Sequence, residues 1–93
     1  MNRGEILREA EALTYGPRND AYDHPRPNHE RIAAGWSLIL QTDVSPGQVA
    51  LCMAWLKIAR TIGNASPTNA DHYIDGAAYF SIAGELMTEG NNP

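Results

Sequence analysis

The chain has 93 residues, 43% of them hydrophobic, and carries 7 Lys+Arg against 11 Asp+Glu for a formal charge of -4. That length is one small domain, spanning 1–93, with a limited core, so self-association into a dimer or larger assembly is expected to enlarge it. The acidic balance excludes the basic field that long nucleic acid requires, the lone Cys52 excludes a disulfide or zinc framework, and no apolar run is long enough to cross a membrane.

Periodicity predicts an all-α fold of four helices, with no strand-like alternation and no internal repeat. The first helix is expected over residues 1–13, with Ile6, Ala10 and Leu13 on one face and Glu5, Glu9 and Glu11 on a solvated one. Its charges interrupt any signal-peptide apolar region, so a soluble protein of the cytoplasm is expected.

Residues 14–27 then read as an ordered, proline-rich loop. Pro17, Pro25 and Pro27 fix φ and break helix, which displays Tyr15, Arg18, Tyr22, His24 and Arg26 at low entropic cost. The second helix is expected to open at Asn28 as its N-cap, carrying His29, Glu30 and Arg31 in its first turn and turning Ile32, Trp36, Ile39 and Leu40 toward a core. A helix start of that kind points backbone N–H groups outward and favours an anion. Forked guanidinium donors suit phosphate, and loop tyrosines suit a base, so the segment from Thr14 to Trp36 has the chemistry of a nucleotide site.

The third helix has the clearest start: Ser45 as N-cap, Pro46 first, and Gln48 completing a capping box, followed by VALCMAWLKIAR over 49–60 and Gly63 as a C′ glycine. Cys52 and Trp55 fall in its apolar run and are expected in the core. Thr68 or Asn69 caps the fourth helix, with Asp71 in its first turn and Ile74, Ala78, Ile82 and Leu86 facing inward. Residues 28–89 thus form a three-helix core, and 90–93 read as a frayed tail. Gly76, Phe80 and Gly84 share a face on which another helix could approach closely.

The short connection predicts an antiparallel hairpin of helices three and four, with Arg60 level with Asp71 to Asp75 and Lys57 one turn deeper. Those four charges are expected to meet along one seam, read first as inter-helix salt bridges that fix register. As chemistry, Asp71 and Asp75 with Glu30 could hold Mg²⁺ while Lys57 and Arg60 contact phosphate. His24, His29 and His72 form no metal pattern and are expected to be structural, with His29, between Arg26 and Arg31, the best functional candidate among them.

The succession Tyr15-Gly16, Pro27-Asn28, Arg31-Ile32-Ala33 and Trp36, then VALCMAWLKIAR and DHYIDGAAY over 71–79, resembles a small all-helical family of uncharacterised proteins encoded by bacteriophages and prophages. More remotely, Lys57, Arg60, Asp71, Asp75 and Tyr79 look like the last two helices of MazG-like all-α nucleotide pyrophosphohydrolases. That resemblance implies Mg²⁺ held by acidic motifs on two helices, the first of which is here reduced to Glu30. By analogy with phage proteins that sequester nucleotide immune signals, the leading expectation is a sponge without cofactor, in the host cytoplasm. It would hold a small nucleotide at Tyr15, Arg18, Tyr22, His24, Arg26, Asn28, His29 and Arg31, with Lys57 and Arg60 on the adjoining wall. A Mg²⁺-dependent pyrophosphohydrolase and an inhibitor of a host enzyme are the alternatives.

Overall fold

A computed structural model describes residues 1–15, 24–62 and 67–89. Four helices account for nearly all of them: α1 (Arg3–Tyr15), α2 (Pro25–Leu40), α3 (Pro46–Ala59) and α4 (Ala70–Thr88). The fold is all-α, as the periodicity predicts. Gly16, Pro17, Arg18, Tyr22, Gly63 and residues 90–93, which figure in the sequence analysis, lie outside the described residues.

Each helix begins at a side chain that takes up a first-turn backbone N–H. Asn2 and Glu5 bond reciprocally at the start of α1, through Asn2 N to Glu5 Oε1 at 3.0 Å and Glu5 N to Asn2 Oδ1 at 2.9 Å. The same box closes at α3, where Ser45 N donates to Gln48 Oε1 at 2.8 Å and Gln48 N to Ser45 Oγ at 3.1 Å. Asn69 caps α4 by accepting from Asp71 N at 3.0 Å.

The start of α2 differs from expectation. His24, not Asn28, is the N-cap, and its Nδ1 accepts from Arg26 N at 3.0 Å. Pro25 and Pro27 are therefore helical residues and not loop. The first turn of a helix has no intrahelical use for its N–H groups, so two prolines fit there without losing a bond. At the opposite end, Gln41 adopts the left-handed region at φ 55, and both its N–H and that of Thr42 return to Ser37 O. The Ser37 hydroxyl also accepts from Val44 N at 2.8 Å, which pins the short link into α3.

α3 and α4 run antiparallel, with α1 packed on α4 and α2 on α3. Two contacts fix the register. An added Cβ on Gly47 would lie 2.6 Å from Met87 Sδ, so a side chain there would have to displace that of Met87, and Lys57 Cβ lies 3.5 Å from where a Gly76 Cβ would stand. The buried side chains are mostly small: Ala10, Ala33, Val49, Ala50, Ala54, Ile74, Ala78, Ala83 and Leu86. Ala10, Ile74 and Ala78 form one cluster, flanked by Ile6, Leu13, Ala70 and Ala77, and this cluster joins α1 to α4.

Several residues assigned to the core by periodicity lie outside it. Trp55 is 65% exposed, Ile39 77% and Leu40 60%, and Cys52 is also exposed. The reason is geometric: α3 is apolar around most of its circumference, and its alanine side meets α4 while its large side chains point away. Gly84 likewise faces open space, with nothing within 4 Å of an added Cβ.

Replacing Ser45 by Ala removes one half of the α3 capping box and should cost about 1 kcal/mol. For a domain of this size that is a fall in Tm of roughly 4–8 °C, measurable by circular dichroism. Gln41→Gly should act in the opposite direction, since glycine adopts the left-handed cap without a Cβ penalty.

Candidate functional site

The expected site divides between two regions of the fold. At the first, the start of α2, Pro25 and Pro27 have no N–H and Arg26 N is already bonded to His24. That leaves none of the first three helical residues with a spare N–H, so the expected backbone anion site is absent from this helix end. Any anion recognition here falls to side chains.

His29 is 5% exposed, and its Nδ1 lies 2.8 Å from the Pro25 carbonyl oxygen. A ring buried against its own helix and bonded to the carbonyl one turn back is a structural element of α2, and it is the only buried polar side chain among the described residues. His24 Nε2 lies 3.5 Å from Glu85 Oε1, an attraction that becomes an ion pair when the imidazole is protonated. Both histidines therefore hold α2, one internally and one against α4. Asn28 and Arg31, one turn apart, are exposed, and Arg26 is partly buried. Helical geometry places Arg26 and Arg31 on directions about 140° apart, so the two guanidinium groups leave α2 on different sides. Tyr15 ends α1 with 69% of its surface exposed, which makes it a helix-terminal residue and not a loop residue.

The second region is the α3–α4 seam. Lys57 Nζ lies 3.2 Å from Asp75 Oδ2, both side chains being partly shielded. The seam is thus a single salt bridge, in the register that counting back from the turn predicts. Asp71 and Arg60 are exposed, and neither joins an ion pair among the described residues. Asp71 sits where its charge complements the N-terminal end of the α4 dipole. No three His, Cys, Asp or Glu side chains among the described residues come together in a way that could hold a metal ion, so Glu30 does not meet Asp71 and Asp75.

The two regions are anchored at different places on α4: His24 docks at Glu85 and Lys57 at Asp75, ten residues apart, which is about 15 Å along the axis. What periodicity missed is an exposed apolar face on the α3–α4 hairpin. Leu51, Cys52, Ala54, Trp55 and Ile58 of α3 and Phe80 of α4 line an open trough of about 420 Å³. The apolar character of both α3 faces was its available signal.

Fold and site together define a small all-helical domain with arginines and tyrosines at its surface and no helix, among the described residues, long and apolar enough to cross a membrane. A family model described as a domain of unknown function (DUF6378) matches residues 5–87, and the chain belongs to that family. It is 40% identical over 84 residues to the Gene 55 protein of Mycobacterium phage D29, a match covering 90% of this chain and 54% of that protein. It is 36% identical over 83 residues to the Gene 55 protein of Mycobacterium phage L5, covering 88% of this chain and 52% of that protein. The chain thus spans about half the length of the curated relatives it matches. These matches bear out the phage family resemblance and lend no support to a MazG-like one. No solved structure matches the chain.

His29→Ala should destabilise the domain by about 2 kcal/mol, through a lost buried ring and its hydrogen bond. Arg31→Ala should leave the unfolding free energy within about 0.5 kcal/mol of the parent. Thermal unfolding of the two variants side by side, without ligand, measures the contrast.

Proposed function

We propose that the chain is a binding protein for a small nucleotide-like anion, a phage sponge that sequesters a nucleotide-derived signal in the cytoplasm of the bacterial host. The observation that carries this reading is the state of the arginines at the start of α2. Arg26 and Arg31 make no ion pair among the described residues, although the chain has more acids than bases. Guanidinium groups are the donors that a phosphate takes in bidentate fashion. They directly follow the segment that contributes Arg18 and Tyr22, and Tyr15 offers an exposed ring on the other side of it. Stacking on such rings tolerates any base and needs no metal.

Holding, in preference to cutting, is supported by the seam. Asp75, a ligand in the Mg²⁺-dependent alternative, is already bonded to Lys57, the proposed phosphate contact. A magnesium site would have to break that pair and recruit Glu30 from another helix. The side-chain division at α2 adds a further feature: with Arg26 and Arg31 on different sides, the ligand is gripped chiefly by Arg31 and Asn28, together with residues of the preceding segment.

A panel of linear and cyclic nucleotides, assayed by thermal shift with and without Mg²⁺ and followed by recovery of the ligand after heat denaturation, tests this. At least one nucleotide should raise Tm in a concentration-dependent manner and be recovered intact. Arg31→Ala should then weaken its binding about tenfold or more, the loss of one charge-assisted contact. Cleaved product would convert the reading to hydrolysis, and a flat Tm across the panel would remove nucleotides as ligands.

A further inference from the structure

We propose that the outer face of the α3–α4 hairpin is the interface of a two-fold homodimer, in which two hairpins complete a four-helix bundle. This goes beyond the nucleotide reading and stands independently of it.

The distribution of side-chain sizes on α3 leads to it. The stripe at Ala50, Ala54 and Lys57 faces α4, whereas the stripe at Leu51, Trp55 and Ile58, continued by Ile62 just past the helix end, faces out. The outer residues are spaced four, three and four apart, the alternation of a coiled-coil seam, in which each side chain inserts between residues of a facing helix. Leu51, Trp55, Ile58 and Ile62 are 38%, 65%, 47% and 66% exposed. On α4, Phe80 borders the same trough with 65% of its surface exposed, and Gly84 one turn on has open space where a side chain would stand. Large side chains beside a vacant glycine are the knobs and the hole of a helix contact that this chain does not make with itself.

The trough carries no charged residue, so nothing in it calls for a partner of opposite charge. The face itself favours a second copy: it holds both the large exposed side chains, Trp55 and Phe80, and the open place at Gly84 that such a side chain would fill, so a two-fold axis makes the surface complementary to itself. An antiparallel hairpin with one apolar outer face is half of a four-helix bundle, and a two-fold axis supplies the other half with the same surface.

Sedimentation equilibrium of the full chain over a range of micromolar concentrations should give a particle of twice 10.2 kDa. Trp55→Lys combined with Phe80→Glu should give a helical particle of half that mass. A second readout covers the case in which the double variant fails to fold. In a Trp36→Phe protein, emission from Trp55 should be blue-shifted at high concentration and move to the red on dilution, in step with dissociation. A monomer at every concentration with the emission of solvated indole overturns the proposal. A dimer in which Trp55 stays solvated, or one that the double variant leaves intact, overturns the assignment to this face.

Discussion

The close passage of α3 against α4 is the constraint on which the rest of the structure depends. It is marked by Gly47, which admits Met87 where the two come nearest, by Gly76 beside the Lys57 side chain, and by the small buried Ala50 and Ala54 on the same side of α3 as Lys57. Alanine and glycine let helix backbones approach, and the approach itself selects which side of each helix is inside. Because small side chains take that inner position, there is no volume there for the indole of Trp55 or the ring of Phe80. The large apolar groups are consequently displaced to the outer face. The same passage sets the axial register that places Lys57 on Asp75, so the one salt bridge of the seam follows from packing and does not create it.

The other helices are positioned on this hairpin by different means. α1 is held by the cluster of Ala10, Ile74 and Ala78. α2 is held from both ends: His24 meets Glu85 at its start, and Ser37 binds Val44 near its finish. Histidine does two kinds of structural work in this helix, capping it at position 24 and bracing its first turn at position 29. Residues that carry the ingredients of chemistry are thereby committed to architecture, and the arginines beside them join no ion pair among the described residues. On the proposed reading, binding by guanidinium and aromatic contact requires no more than a firm platform, which the capped helices supply.

Much of this was legible in the residues. Ser45, Pro46 and Gln48 mark a helix start because capping is local: the partners are three residues apart and their bonds do not depend on the remainder of the fold. The hairpin and its register follow from a short connection and helical geometry, which place Lys57, Arg60, Asp71 and Asp75 along one seam, although only Lys57 and Asp75 pair there among the described residues. The start of α2 was misread because proline is a helix breaker everywhere except in the first turn, and only the position of His24 reveals that Pro25 and Pro27 occupy that turn. The division of the candidate site is also non-local. Arg31 and Lys57 are each candidate phosphate contacts on different helices, and how α2 is placed on the hairpin is set by contacts far apart in the chain, such as His24 with Glu85.

By itself, then, the sequence determined the helices, their caps, the antiparallel hairpin and the phage family, because periodicity, capping chemistry and chain connectivity act over a few residues. Tertiary structure alone decided which side of α3 is interior, that Trp55 and Phe80 stand outside, and that the arginines of α2 and the Lys57–Asp75 seam occupy different places. A helix apolar on both sides offers two possible inner faces, and only contact with its neighbour chooses between them. Here the neighbour chose alanine.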